Sequence, residues 1–384
     1  MRSRRASKGL LEGAGLTVMA HFAKQRYRRL SIHLERFCPS LKRCSAACAA
    51  LIFEALESFQ MTPLVFVSTN GLQMAVQVAE PVGPLTDRPA VLLLHGFPEL
   101  AHSWRHQMHA LAAAGYRAIA PDLRGYGDTG AHGEVADYRM ANLAQDVLGL
   151  LDALGIAKAV VVGHDFGGAL AWTLARDHAD RLHGVVSLCT PYTRRTDTDL
   201  AETMRRTRGP DNYMVFFQTP GAGEALLTAN LDTLFDRLMR RPAMSIDEFN
   251  QRSVHARALP ADLFLGVPEL MGERFLDEAA IAHYTQAFRR TGFTGPLNWY
   301  RNLPRNWADT EGRPDQVTVP ALMLCADRDC FLPPSTTRGM EHIVPDLERH
   351  TVSDCGHWMQ QERPEAVNRL LLDWLQRRMP TSDR

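Results

Sequence analysis

The segment that most constrains the fold of this chain runs from Val160 to Ala169 and reads Val-Val-Val-Gly-His-Asp-Phe-Gly-Gly-Ala. The three valines are typical of a strand buried on both faces, and the residues after the aspartate predict a helix. Glycines at 163 and 167 allow the close approach of strand and helix that a sharp turn between them requires. Such a turn presents its central side chain, here Asp165, at the edge of a sheet and beside backbone N–H groups that begin a helix.

The central residue of this kind of turn is usually a serine nucleophile, and no Gly-x-Ser-x-Gly segment occurs elsewhere in the chain. A carboxylate cannot replace an acyl-transfer serine, but it can attack an electrophilic carbon and form an alkyl ester. The sequence therefore favours displacement at carbon. Taken alone, the segment is equally consistent with a glycine-rich turn whose aspartate only caps the helix.

Short apolar strands and amphipathic helices alternate around this segment. The predicted strands are 64–67, 74–78, 90–94, 117–120, 159–162, 182–188, 321–324 and 350–352, the first two joined by an Asn-Gly hairpin turn. The predicted helices are 101–114, 138–154, 166–175 and a final one that starts near Pro364. This alternation predicts an α/β fold in which a mostly parallel sheet has helices on both faces.

The alternation stops between the sixth and seventh strands. Residues 194–310 are mainly helical in pattern with no strong strand signal, and we expect them to form a cap domain on a core made of residues 61–193 and 311–384. Residues 1–60 carry 11 basic and four acidic side chains, whereas the whole chain has 43 of each. This extension is interpreted as a basic or disordered tail, a helical appendage, an export signal or, as we favour, an overcalled start.

Composition excludes several classes of protein. A net charge of zero gives no reason to expect nucleic-acid binding, and no apolar run is long enough to predict a membrane span. Seven scattered cysteines without a Cys-x-x-Cys pair indicate reduced thiols and a cytoplasmic location, with a Cys325–Cys330 disulfide as the less favoured alternative. No cofactor and no metal is expected, and the chain is predicted to be a monomer or a homodimer.

A nucleophile in this position needs an acid and then a histidine later in the chain. The seventh strand runs into a loop that holds Asp327 and Asp329, and the eighth runs into a loop that holds Asp354 and His357. Because the carboxyl ends of parallel strands meet at one edge of a sheet, both loops should reach Asp165. We predict His357 as the base and Asp329 as its orienting acid, with Asp327 as the alternative and Asp354 shaping the turn.

The loop after the third strand reads His95-Gly96-Phe97-Pro98-Glu99. An oxyanion hole in such a fold uses a backbone N–H from this loop and one from the residue after the nucleophile, which nominates Phe97 and Phe166. An ordinary Gly-Pro loop is the alternative. Apolar side chains predicted to line a substrate pocket are Trp104, Phe216, Phe217 and Trp358, with Phe264 and Leu265 as further aromatic or apolar contributors.

From Met61 to the last helix, the chain closely resembles the epoxide hydrolases of the α/β-hydrolase fold. The resemblance rests on five segments, which are residues 95–99, Asp-Leu-Arg-Gly-Tyr-Gly-Asp at 122–128, residues 163–168, Asn-Trp-Tyr-Arg-Asn at 298–302, and Asp-Cys-Gly-His-Trp at 354–358. It implies that Tyr213 and Tyr300, both in the predicted cap, hydrogen-bond the epoxide oxygen. A phenol with a pKa of about 10 stays protonated at neutral pH and can donate to the alkoxide that ring opening leaves.

The expected reaction converts an epoxide and water into a vicinal diol through an ester on Asp165 that His357-activated water hydrolyses. A haloalkane or haloacid dehalogenase using the same residues is the alternative. Phe166 and Phe97 speak against it, because haloalkane dehalogenases resemble this chain but have Trp and Asn there, and fluoroacetate-type enzymes have Arg after the nucleophile. A catalytically silent ligand-binding scaffold is the third hypothesis, and the complete triad speaks against it.

Overall fold

The computed structural model describes residues 64–82, 87–130, 133–253, 257–266 and 271–379. The predictions made for residues 1–60 lie outside these described residues.

Eight strands form the main sheet. They are β1 Leu64–Thr69, β2 Leu72–Ala79, β3 Ala90–Leu94, β4 Ala118–Pro121, β5 Ala159–His164, β6 Leu182–Leu188, β7 Ala321–Ala326 and β8 Leu347–Val352. Their order across the sheet is β1-β2-β4-β3-β5-β6-β7-β8. Only β2 runs against its neighbours β1 and β4, and every other adjacent pair is parallel.

The sheet separates two hydrophobic clusters, because successive side chains of a strand point to opposite faces. In β5, Val161 belongs to one cluster, whereas Val160 and Val162 belong to the other. Helices cover both faces, among them Arg105–Ala113, Met140–Ala153, Phe166–Asp177 and the last helix Pro364–Arg378. The predicted α/β fold with a mostly parallel sheet is therefore confirmed.

The first two strands form the expected hairpin. The two residues of its turn, Asn70 and Gly71, have φ angles of 43° and 77°. Positive φ at both central positions is what a type I′ turn requires, and Asn-Gly is the pair that tolerates it best.

The segment between β6 and β7 is mainly helical, as expected. Its helices are Leu200–Arg208, Tyr213–Phe216, Ala222–Ala229, Leu231–Leu238, Ile246–Asn250, Glu278–Thr291, Thr294–Arg301 and Leu303–Ala308. It also contains two short antiparallel strands, Arg240–Pro242 and Met271–Arg274, which the sequence did not predict. These strands are three and four residues long and rich in arginine, so they lack the apolar alternation by which strands are recognised.

Two close contacts seat the helix Thr294–Arg301 on the core. A side chain on Gly295 would place its Cβ 2.6 Å from the Cα of Gly125, so the two backbones touch. Beside them, the indole N–H of Trp299 donates to the carbonyl of Arg124 at 3.0 Å. The position of Tyr300, one residue further along this helix, is therefore fixed by backbone packing.

Among the residues that the structure describes, no helix combines the length and the apolar character needed to cross a bilayer. The four cysteines in these ranges, Cys189, Cys325, Cys330 and Cys355, are free thiols. Cys325 and Cys330 thus do not form the disulfide considered above.

Candidate active site

Asp165 occupies the tip of the turn between β5 and the helix Phe166–Asp177. Its φ of 52° and ψ of −120° are rare for a residue with a side chain and cost of order 1–3 kcal/mol, which the surroundings must offset. The carbonyl of Asp165 accepts the hydroxyl of Thr190 at 2.8 Å and the N–H of Ala169 at 3.0 Å. These bonds hold the strained backbone in place.

Glycines are required at two points around this turn. A Cβ on Gly163 would lie 2.1 Å from the carbonyl oxygen of Gly167, and one on Gly96 would lie 2.4 Å from the Cβ of Asp165. The close approach inferred from the glycine spacing is thus present. It brings the loop after β3 directly against the aspartate.

His357 lies between two carboxylates. Its Nε2 is 3.6 Å from Oδ2 of Asp165, and its Nδ1 is 2.8 Å from Oδ2 of Asp329. Asp329 is fully buried, and its other oxygen accepts the backbone N–H groups of Phe331 at 2.8 Å and Leu332 at 3.0 Å. The structure therefore brings together the three side chains nominated as nucleophile, base and acid.

The other two acidic residues of these loops have different partners. Asp327 accepts the backbone N–H of Cys355 at 3.1 Å and pairs the two loops. Asp354 has a φ of 52° and forms ion pairs with Arg328 and Arg363. Asp329, not Asp327, is the carboxylate on the imidazole.

The charges of these three groups support one another. Burial opposes ionisation of Asp165 and Asp329, but bonding to His357 outweighs it and lowers the pKa of both carboxyls. Burial likewise opposes the charged imidazole, yet the two carboxylates raise the pKa of His357 to about 10. At neutral pH the resting site holds an imidazolium between two carboxylates.

The two residues nominated as oxyanion donors flank the aspartate. The backbone N–H of Phe97 donates to Oδ1 of Asp165 at 2.9 Å. Phe166 is the first residue of its helix, so its N–H belongs to those that have no partner within the helix. Both main chains thus lie next to the carboxyl group.

Tyr213 and Tyr300 lie side by side, and both are close enough to Asp165 to be influenced by its charge. Their rings are 5.9 Å apart and nearly perpendicular, and Tyr300 also meets the rings of Phe97 at 5.2 Å and Phe166 at 4.7 Å edge-on. Both phenols are buried. Burial and the negative charge of Asp165 raise the pKa of each well above its ordinary value, so both stay protonated.

Three of the four predicted pocket residues lie near this site. Phe217 packs against Phe97 and both tyrosines, and Phe216 packs against Phe217 from a half-buried position. Trp358 meets the imidazole of His357 edge-on at 5.3 Å. Trp104 is not brought to the site, because it is fully buried in the hydrophobic cluster on the other face of the sheet.

Phe264 meets the ring of Phe97 at 5.8 Å and that of Tyr213 at 5.4 Å. It joins Phe217 and the two tyrosines in a wall of aromatic rings. The side chains packed around the two tyrosines are therefore mainly aromatic.

A buried pair that the sequence analysis did not single out holds the backbone of the histidine. His164 has its Nδ1 2.7 Å from Oε2 of Glu99, and its Nε2 donates to the carbonyl of His357 at 2.8 Å. The carboxylate of Glu99 also accepts amide groups of Gln360 and Gln361. Both His164 and Glu99 lie in segments already noted, and their adjacency to motif residues was the available signal.

His164, Cys189 and His357 are close enough that one nitrogen or sulfur of each could face a common metal ion. Their ring nitrogens are nevertheless engaged with Glu99, Asp329 and the carbonyl of His357, and the Cys189 thiol donates to that same carbonyl at 3.2 Å. This donor set is satisfied by the protein and does not fit a metal.

The fold and the site define an α/β hydrolase with an aspartate where the nucleophile sits. Residues 89–364 match the α/β hydrolase fold family. The chain is 38% identical over 319 residues to epoxide hydrolase A of Mycobacterium tuberculosis, covering 80% of this chain and 96% of that protein. It therefore belongs to the epoxide hydrolase family of this fold.

Two further relatives agree. Over 290 residues the chain is 40% identical to bifunctional epoxide hydrolase 2 of Sus scrofa, covering 75% of this chain and 51% of that protein, so it spans about half the length of that relative. The solved structure of potato (Solanum tuberosum) epoxide hydrolase I superposes with a TM-score of 0.69 at 31% identity, covering 82% of this chain and 99% of that one.

Proposed function

We propose that this protein hydrolyses epoxides to vicinal diols through a covalent ester on Asp165. The observation that carries the proposal is the set of groups placed around the carboxylate of Asp165. It lies 3.6 Å from Nε2 of His357, accepts the N–H of Phe97, and is close enough to two buried phenols for its charge to raise the pKa of both. A nucleophile, a base and acid groups for the leaving oxygen thus lie close together.

In the first step, Asp165 attacks the less hindered epoxide carbon, forming a C–O bond while the ring C–O bond breaks. Tyr213 and Tyr300 donate hydrogen bonds to the oxygen that leaves, which would otherwise be a strongly basic alkoxide. The negative charge of Asp165 is consumed in the ester. The pKa of His357 then falls, and the proton that it releases balances the step by neutralising the alkoxide.

In the second step, the now neutral His357 takes a proton from water, and the hydroxide attacks the ester carbonyl. The N–H groups of Phe97 and Phe166 stabilise the oxyanion. When the acyl C–O bond breaks, the remaining proton passes to the departing diol. The carboxylate of Asp165 and the imidazolium of His357 are both restored, so the cycle closes in charge and atoms.

The segment between β6 and β7 serves in this proposal as the cap domain, since it supplies both tyrosines. The aromatic wall formed by Phe97, Phe217 and Phe264 favours substrates with apolar or aryl substituents. Cytoplasmic location and assembly as a monomer or homodimer stay predictions from the sequence.

The dehalogenase alternative has less support. Phe97 and Phe166 supply no side-chain N–H for a halide, and the indole N–H of Trp299, beside Phe166, is bonded to the carbonyl of Arg124. A departing halide also makes no use of two buried phenols. Release of halide from a haloalkane, with no turnover of styrene oxide, would favour this alternative.

Trapping of the ester tests the proposed function. In His357→Gln, no base remains for the second step, so an adduct with the mass of the epoxide should accumulate on the peptide that holds Asp165. Asp165→Asn in the same background is the matched control and should give no adduct. An unmodified Asp165 peptide in a variant that still consumes epoxide would contradict the covalent route.

A further inference from the structure

Glu362 is a buried carboxylate that the reaction described above does not use. It lies at the end of the helix Met359–Glu362, and it is 5% exposed. Its Oε2 accepts the backbone N–H of Gly356 at 2.9 Å, and its Oε1 accepts Nε of Arg241 at 3.0 Å. One side chain therefore joins the loop of the catalytic histidine to the cap.

The cap rests directly on this loop at the same place. Arg241 lies in the short strand Arg240–Pro242, and a Cβ on Gly356 would be 2.4 Å from Cδ of Pro242. The guanidinium of Arg328 also donates to the carbonyl of Pro242 at 3.2 Å. No side chain fits between the cap strand and the residue that precedes His357.

The peptide groups around His357 are held from two sides. Glu362 holds the N–H of Gly356 on one side, while His164 and Cys189 hold the carbonyl of His357 on the other. The direction of the imidazole depends on this backbone. A loss of either anchor would change the 3.6 Å separation between His357 and Asp165.

The charges around Glu362 make its ionised form depend on Arg241, which belongs to the cap. Burial raises the pKa of Glu362 to about 7, and the Gly356 N–H and the guanidinium of Arg241 act against that rise. Two other titratable or charged groups face Glu362, which are the neighbouring Arg363 and the thiol of Cys355. Glu362 helps to raise the pKa of that thiol. Without Arg241, this buried carboxylate would lose its main counter-charge.

We propose that Glu362 is a positioning residue that couples docking of the cap, through Arg241, to the alignment of His357 for ester hydrolysis. With the cap docked, Arg241 holds the carboxylate of Glu362 in place. Glu362 in turn holds the backbone next to His357 in the position that aligns the imidazole. The inference rests on the proposed function, since it assigns Glu362 to the second step of that reaction.

The test compares Glu362→Gln with a matched control in single turnover of styrene oxide, following the mass of the Asp165 peptide. The glutamine keeps the size but has one acceptor oxygen, so it cannot serve both donors. We expect hydrolysis of the ester to slow roughly 10- to 100-fold, while ester formation changes little and the adduct accumulates. Glu273→Gln removes a different, 70% exposed carboxylate partner of Arg241 and should leave both rates unchanged.

Two further readouts separate positioning from a purely structural role. Arg241→Gln should slow the same step, and the double variant should be no slower than Glu362→Gln alone, because the two residues act as one unit. In the wild type, the hydrolysis rate should fall on the acid side of an ionisation near neutral pH as Glu362 takes up a proton. Glu362→Gln should lack that ionisation.

An unchanged hydrolysis rate and pH profile in Glu362→Gln would overturn the inference. So would equal slowing of both steps in proportion to a lowered melting temperature, which is the signature of general destabilisation. If no adduct forms on Asp165 in any variant, including His357→Gln, the proposed function fails, and the inference fails with it.

Discussion

At the scale of residues, the carboxylate of Asp165 lies between polar groups that stabilise its charge and aromatic rings that are apolar. The backbone N–H of Phe97 and the charged imidazole of His357 stabilise its ionised form, whereas the rings of Phe97, Phe166 and Tyr300 pack together nearby. A carboxylate in such a setting is ionised and lies beside apolar rings, which favours attack on an apolar electrophile.

The two phenols should act on the first step. Tyr213→Phe and Tyr300→Phe each remove one hydroxyl and keep the ring packing, so each should slow ester formation roughly 10- to 100-fold. The double variant should form almost no ester. Single-turnover rates measure this, and Tyr116→Phe, which changes a tyrosine in the hydrophobic cluster on the opposite face of the sheet, is the control. A double variant that forms ester at the wild-type rate would refute the role of the phenols.

Asp329 and Asp327 offer a matched pair of substitutions. Asp329→Asn removes the charge that orients and supports His357, so ester hydrolysis should slow roughly 100- to 10,000-fold. Asp327→Asn changes a carboxylate that only accepts a backbone N–H, and it should retain most of the activity. Rates of ester decay report both, and the reverse order of effects would reassign the acid.

At the scale of elements, the sequence predicted the strands and turns whose own residue types indicate burial or a tight turn. The bounds of β6, Leu182–Leu188, agree with its apolar run, and the turn at Asp165 follows from Gly163 and Gly167. Elements formed through long-range contacts left no such pattern. The short strand Arg240–Pro242 pairs with Met271–Arg274 and packs against the loop at Gly356, and both contacts depend on tertiary packing.

The same distinction applies to single residues of the site. Asp165 and His357 could be inferred because each follows a strand in a fixed chain order. Trp104 could not be placed from its position after the third strand, because strand and helix packing turn it toward the opposite face. Glu362 had no local signal, since its bond to Arg241 connects segments 121 residues apart in sequence.

The contact between Gly125 and Gly295 predicts an effect on Tyr300. Gly295→Ala should force the helix Thr294–Arg301 outward, lowering the free energy of unfolding by about 1–3 kcal/mol and slowing ester formation. Ala282→Gly, on the exposed face of the helix Glu278–Thr291, lowers stability by about 1 kcal/mol without touching this contact. It should leave ester formation unchanged. Equal kinetic effects of the two variants would show that the contact does not position Tyr300.

At the scale of the whole molecule, the charged triad links stability to pH. The pKa of His357 is raised to about 10 in the folded protein, against about 6.5 in an unfolded chain. A raised pKa means that its stabilising contribution is full below pH 6.5 and is lost as the pH rises toward 10. The triad thus stabilises the fold most where the imidazolium is fully formed.

This linkage can be measured with His357→Gln, which cannot gain the charge. The free energy of unfolding of the wild type minus that of the variant should decrease steadily between pH 6.5 and pH 10. Denaturant titrations at several pH values provide the measurement. A difference that stays constant over this range would show that the imidazolium is not held by the two carboxylates.

The most direct test of the central claim is a single turnover of excess enzyme in ¹⁸O-water with an apolar epoxide. An ester route predicts that the diol formed first carries unlabelled oxygen from Asp165, while the label appears in the peptide that contains Asp165. Label entering the first diol directly, with none in that peptide, would show that water attacks the epoxide itself and would contradict the account.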